Sequence, residues 1–379
     1  MRRSHERILT THAGSLPRPD DLLDMMQTAG VDRSVRASRV RHAVADIVRT
    51  QIDLGLDIVD DGEMSKPSFV TYVQERLAGF APSRASAGLP WAGSREVLAF
   101  PAFYASAANA ARIVPPLACT APVRYVGHDA VKEDVANLKA ALSQAGDREA
   151  FLPAISPSNI EGRYTNLHYA TAEEYLFAIA DAMHEEYKAI VDAGLVLQID
   201  DPRLVTYYIM QPQASLAECR RWAEARVDAL NHALRGIPRD RVRFHTCYSI
   251  NMGPRVHDMQ LKDIVDIILK VNAGAYSFEA ANPRHEHEWK LWQDVDLDGK
   301  VLIPGVISHS TVLVEHPELI ADRIVRFAEI AGRENVIAGS DCGFATFAGS
   351  KEVHPTIVWA KFKALSDGAA LATKRLWGR

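Results

Sequence analysis

The feature that most limits what this chain can fold into is a repeated change of hydrophobic rhythm, from short apolar runs to longer amphipathic stretches and back. The short runs fall at 56–59, 151–155, 195–199, 242–244, 276–278, 301–306 and 336–338, are rich in Val, Ile, Leu and Phe, and read as strands. Between them, 171–193, 215–234, 261–272 and 317–331 carry apolar residues at helical spacing. The last of these begins at Pro317, has Glu318 in its first turn and is followed by Gly332, a start and a stop signal for a helix. Strand and helix in alternation imply parallel strands joined by right-handed crossovers, and at this strand count a closed barrel is favoured over an open sheet. Seven strands are read directly and an eighth is expected near 123–126. The expected fold class is α/β, a (β/α)8 TIM barrel with an N-terminal extension.

One segment breaks the rhythm. Residues 80–120 are rich in Ala, Ser, Pro and Gly (APSRASAGLPWAGS, then PPLACTAP) and read as an inserted loop region with a hairpin, over the barrel mouth or on the surface. No internal repeat divides the chain, so residues 1–379 are expected to form a single catalytic barrel domain. A length of 379 residues with 47% hydrophobic content suits one large core.

Composition narrows the function classes. A net charge of -5 gives no reason to expect nucleic acid, and no apolar run approaches the roughly 20 residues of a membrane span. The N-terminal MRRSHERILTTHAGS lacks the apolar stretch of a signal peptide, so the expected location is cytoplasmic. Cysteines at 119, 219, 247 and 342 are too scattered for a disulfide framework. A reducing compartment leaves their thiols available for metal.

Four residues at the ends of strand-like runs form a candidate metal set: His245 and Cys247 after RVRF, Glu279 after AYSF, and Cys342 in VIAGSDCGF. Alternation along an extended segment puts His245 and Cys247 on the same side, as ligands to one ion require. One imidazole, two thiolates and a carboxylate are zinc donors. The about thirty residues to Glu279 and about sixty more to Cys342 exceed the spacing of a zinc finger and suit ligands gathered from several barrel strands. Either cysteine can instead be a small buried apolar residue. Other polar residues also follow strands: Asp60, Asp61 and Glu63, then Asp200 and Asp201, His309 and Asp341. In a (β/α)8 barrel these positions face the catalytic mouth.

The motifs THAGSLPRP near the start, DDGE at 60–63, LQIDDP at 197–202, FHTC at 244–247, SFEAANPR at 277–284, PGVISHS at 304–310 and SDCG at 340–343 resemble, in order, those of the cobalamin-independent methionine synthase family, in its C-terminal catalytic barrel. SFEAANPRHEHEW and PGVISHSTVLVEHP are similar to a single-barrel branch that includes epoxyalkane:coenzyme M transferase. The resemblance implies Zn2+ on His245, Cys247, Glu279 and Cys342, and a thiol-substrate pocket involving Ser15, Glu63, Asp200 and His309. Glu63 and Asp200 would bind the ammonium of an amino-acid thiol. His309 would donate a proton to the leaving group. The chain departs from the synthase pattern in having one barrel and in reading ISPSNIEGRY at 155–164 where the synthase presents a Trp to the pterin. HTCYSINMGP likewise replaces the Trp-rich loop of the coenzyme M enzyme. Arg163, Arg203, Arg255 and Arg284 are candidates for recognising an anionic group.

The resemblance implies a zinc-dependent thiol alkyltransferase whose partners are a small-molecule thiol and an alkyl donor, most simply methyl transfer to homocysteine to form methionine. With four protein ligands the incoming thiol displaces one, and Glu279, the harder donor, is the ligand expected to leave. The alternatives are epoxide opening by a thiolate on zinc, a metal-independent decarboxylase of the uroporphyrinogen decarboxylase type, and a zinc-storage protein. Mouth-facing acids beside the ligands favour catalysis over storage.

Overall fold

The computed structural model describes residues 1–28, 30–83, 91–106, 117–143, 146–249, 253–350 and 353–378. Strand β1 (Leu9–Thr10) leads through a long helix, Arg33–Asp53, to β2 (Ile58–Val59). The chain then leaves the barrel for β3 (Leu77–Pro82) and β4 (Leu117–Tyr125), returns as β5 (Glu149–Ile155), and makes the short β6 (Thr165–Asn166). From there β7 (Val196–Asp200), β8 (Val242–His245), β9 (Ala275–Phe278), β10 (Val301–Ile307) and β11 (Ile337–Ser340) follow, with helical segments between them. Eight strands in the order β1-β11-β10-β9-β8-β7-β5-β2 form one parallel sheet. Its two edges meet, because Asp57 N donates to Thr10 O at 3.1 Å and Thr11 Oγ1 donates to Ile58 O at 3.0 Å. The molecule is an α/β barrel of the (β/α)8 type.

The eighth barrel strand is β1. Residues 123–126, expected to supply it, lie mostly within β4, which pairs antiparallel with β3 in a separate three-stranded sheet. The residues read as an N-terminal extension thus begin inside the barrel. Two residues of strand in a polar context carry no alternating pattern, and only their pairing with Ile337 and Ala338 makes Leu9 and Thr10 a strand. The region 80–120 contributes the arms of that hairpin and the short helix Arg95–Ala99; its residues 84–90 and 107–116 lie outside the described residues.

Helix boundaries follow local chemistry. Thr171 with Glu174, and Ser215 with Glu218, form reciprocal capping boxes at the starts of Ala172–Asp192 and Leu216–Ala233. Pro317 begins its helix and Gly332, at φ +82°, ends it. The helix expected over 261–272 is instead two short pieces, Leu261–Asp263 and Val265–Ile268, interrupted at Ile264. Four β-branched residues in five positions, 264–268, weaken helix formation there.

The barrel interior is filled at its N-terminal end by Ile58, Phe151, Val196, Ala275, Val301, Ile303 and Ile337. Above this layer lies Arg243, wholly buried, its guanidinium 4.0 Å from the centre of the Phe151 ring and donating to Thr11 Oγ1 and His12 O. This layer and Arg243 fill the lower part of the interior, below the strand ends.

Candidate active site

Strand β8 ends at His245, and the next inward position is Cys247, so both side chains enter the barrel mouth from one strand end. Cys342 arrives from the opposite side, two residues beyond β11, and its Sγ lies 3.1 Å from that of Cys247. Candidate ligand atoms of His245, Cys247 and Cys342 all lie within 4.8 Å of one another. All four cysteines are free thiols. His245 Nδ1 pairs with Ser277 Oγ at 3.0 Å, while its Nε2 is buried with no hydrogen-bond partner. A fixed first nitrogen and an unpartnered second one are what a metal-ligating histidine needs. Burial, with Arg243 and His309 adding to it, lowers the imidazole to about 3, so it is neutral and able to ligate. The hydrogen bond with Cys247, together with burial, raises the Cys342 thiol well above its ordinary range. Bringing a cation to this pair would relieve that penalty. The donor set fits zinc.

Glu279 lies near this three-residue cluster, close enough for its charge to raise the Cys342 thiol further. Its Oε1 accepts from Tyr248 N at 2.7 Å, and its Oε2 from Arg255 Nη2 at 2.8 Å and Asn282 Nδ2 at 2.6 Å. Arg255, a candidate for anion recognition by sequence, is committed to Glu279 and Asp258.

Asp341 ties the β11 loop to the β9 loop: its Oδ1 accepts from Ala280 N and Ala281 N, both at 2.8 Å, and its Oδ2 from Asn282. Gly305 is required opposite, because a Cβ there would stand 2.1 Å from Asp341 Oδ1.

A single cavity joins this cluster to the expected substrate residues. It is lined by His245, Cys247 and Cys342 on one side and by Ser15, Glu63 and Asp200 on another, with Phe69, Pro202 and Thr346 among the rest. Asp60 and Asp61 accept from the Gly62 and Glu63 amides and fold the β2 loop so that Glu63, at φ +56°, turns inward. Ser15 Oγ donates to Glu63 Oε2, and Arg18 lies 3.7 Å from that oxygen. Gln198 Nε2 donates to Asp200 Oδ1 at 2.7 Å. Burial, and the charge of Glu63, raise Asp200 well above the usual carboxylate range. Two carboxylates therefore face one cavity, where a bound cation would favour the charged form of Asp200.

His309 follows β10 and is close enough to His245 to disfavour its charge. Burial brings His309 down to about 4; Asp341 and the Ser249 backbone oppose that shift and Arg255 adds to it. Burial thus disfavours the charged form of this ring. Its loop is held by Lys361, fully buried, which pairs with Glu315 at 2.8 Å while Glu315 also accepts from Ser308 N.

Sequence reasoning did not single out Ser277, Tyr248, Asp258, Asn282 and His285. Asn282 and His285 lie inside SFEAANPRHEHEW, where their proximity to Glu279 was the only available signal.

A family model described as the catalytic domain of cobalamin-independent synthase matches residues 8–102 and 163–360. The unmatched stretch includes most of ISPSNIEGRY. The methionine synthase of Thermococcus kodakarensis is 25% identical over 349 residues, covering 88% of this chain and 86% of that one. That of Sulfolobus acidocaldarius is 24% identical over 340 residues, with 88% and 85% covered. Among solved structures, a B12-independent methionine synthase from Shewanella sp. W3-18-1, in complex with selenomethionine, superposes with a TM-score of 0.74 at 19% identity, covering 98% of this chain and all of that one. With its barrel, its strand-end motifs and a family match over most of its length, the chain belongs to the cobalamin-independent methionine synthase family, in its catalytic domain.

Proposed function

We propose that the protein is a zinc-dependent thiol alkyltransferase that methylates homocysteine to methionine. The observation that carries this reading is the shared cavity, with a His–Cys–Cys cluster on one side and the Glu63–Asp200 pair on another. His245, Cys247 and Cys342, with Glu279, would hold the zinc. Bound there, zinc supplies acidity to a thiol whose ordinary pKa is about 8.5, making thiolate available at neutral pH.

The chain's own groups account for the rest. Glu63 and Asp200 face the cavity as a site for an ammonium, whose charge would oppose the burial and the Glu63 repulsion that raise Asp200. Neutral His309 can accept a proton, and the imidazolium so formed can return it to the departing atom of the donor. One residue then serves both proton movements, receiving before it gives.

The same lining argues against the alternatives. Among the described residues it contains two carboxylates and no Lys or Arg, which suits an ammonium better than a sulfonate thiol or a polycarboxylate undergoing decarboxylation. The supporting experiment is elemental analysis followed by a turnover screen of homocysteine and coenzyme M against methyl-folate, methylcobalamin and short epoxides. The expected outcome is stoichiometric zinc and methionine formation. Metal-free protein that turns over, or coenzyme M outperforming homocysteine, overturns it.

A further inference from the structure

Behind the cavity wall lies Arg18, whose guanidinium gathers the loops that build that wall. Its side chain is wholly buried. Nη1 donates to Leu16 O and Ala345 O, and Nη2 donates to Lys66 O. Those three carbonyls belong to the loops after β1, β11 and β2, which are neighbours around the barrel. Backbone bonds join the same loops: Leu16 N donates to Gly62 O at 3.2 Å, and Phe344 N and Ala345 N donate to Ser15 O at 2.9 and 3.2 Å. A planar guanidinium has its donors in a fixed fork, so one group can hold several carbonyls in a set geometry.

The fork also fixes one oxygen of Glu63. Arg18 Nη2 lies 3.7 Å from Glu63 Oε2, and Ser15 Oγ donates to that same oxygen. Among the described residues no group donates to Oε1, so it is the oxygen left to a ligand in the cavity that Glu63 lines. Glu63 itself sits at φ +56°, beside Gly62 at +63°, a conformation that a non-glycine residue keeps only when its surroundings impose it. Lys66 N closes a turn onto Glu63 O at 3.0 Å, and Arg18 grips that turn through Lys66 O at 3.0 Å. Burial lowers the guanidinium below its ordinary value, while Glu63, Asp61 and Asp60 act to raise it. The acids of the β2 loop and the buried cation therefore hold each other in place.

We infer that Arg18 is a positioning residue that sets the choice of thiol: it holds Oε2 and the loop of Glu63 so that Oε1 meets an ammonium, which favours a thiol carrying an amino group over one that lacks it. Arg18 acts only through Glu63. The inference rests on the reading of Glu63 as an ammonium partner given above.

The test compares homocysteine with 4-sulfanylbutanoate, which has the same thiol and carboxylate but no amino group, by calorimetry on the full chain. Glu63→Gln is expected to weaken homocysteine at least about tenfold and the des-amino thiol by less than about threefold. Arg18→Met should do the same, although it leaves the Glu63 carboxylate in place. Adding Arg18→Met to Glu63→Gln should cost homocysteine less than about threefold more, because the two residues act as one unit. Arg18→Lys keeps the charge without the fork and should resemble Arg18→Met. An Arg18→Met that weakens both thiols alike is a general prop of the fold and overturns the inference, as does full rescue by Arg18→Lys. A loss in Glu63→Gln with none in Arg18→Met overturns this inference alone, whereas no loss in Glu63→Gln overturns the ammonium reading with it. Should Arg18→Met fail to fold, a crystal structure of the wild type with homocysteine decides. The amino nitrogen on Oε1, with Arg18 and Ser15 still at Oε2, is the expected result; an amino nitrogen that has taken the place of Ser15 on Oε2 overturns it.

Discussion

His285 offers a quantitative test of the network behind the active site. It is buried to 3% exposure between Asp258 and Glu288. Burial acts to lower it, but hydrogen bonds to the two carboxylates outweigh that and raise it from 6.5 to about 9. The native ring is therefore charged at neutral pH, whereas the unfolded ring is mostly neutral above 6.5. The folded value exceeds the unfolded one, so the stabilisation is fully present below pH 6.5 and is lost as pH rises through about 9. At about 1.4 kcal/mol per unit, a shift of roughly 2.5 units corresponds to about 3 kcal/mol. Between pH 6.5 and 9 the wild type should lose stability relative to His285→Gln at about 1.4 kcal/mol per pH unit. The measurement is urea unfolding of metal-free wild type and variant from pH 6 to 10 at constant ionic strength. Metal-free protein is used because zinc binding itself releases protons. The variant also disturbs Asp258 and Glu288, but those carboxylates shift the offset between the curves and not its slope in this range. A difference between wild type and variant that stays flat from pH 6.5 to 9 refutes the charged-histidine reasoning.

Three further outcomes are expected. Replacing both Cys247 and Cys342 by Ala should abolish zinc retention through desalting, checked by elemental analysis, while circular dichroism stays native. Glu63→Gln with Asp200→Asn should weaken homocysteine binding by a few kcal/mol, read by calorimetry, since a buried ammonium loses its charged partners; the single Asp200→Asn should also reduce the protons released on binding. His309→Gln should retain zinc and thiol affinity but slow single-turnover transfer by about 10²- to 10⁴-fold. A rate within threefold of wild type would remove His309 from the mechanism.

The alternation of apolar runs and amphipathic stretches was enough to specify a parallel barrel, because strands and helices differ in hydrophobic period and crossovers have one hand. Seven strand positions, the helical stretches starting at 171 and 215 and the stop at Gly332 were all local and all legible. His245, Cys247 and Cys342 could be named from their places after strands, since barrel strands end at a common face. What sequence alone did not determine was partnership across distance. Leu9–Thr10 becomes a strand only because the barrel has an edge left to close there, and 123–126 has the composition of a barrel strand but pairs with β3. Glu279 looked equivalent to the other ligands along the chain. In the fold its carboxylate meets Arg255, 24 residues away, whose amide meets Glu96, 159 residues from Arg255, and charge pairing over such separations leaves no periodic trace. His309 likewise has an ordinary sequence context, and only its enclosure by the folded mouth removes the water that would stabilise its charged form.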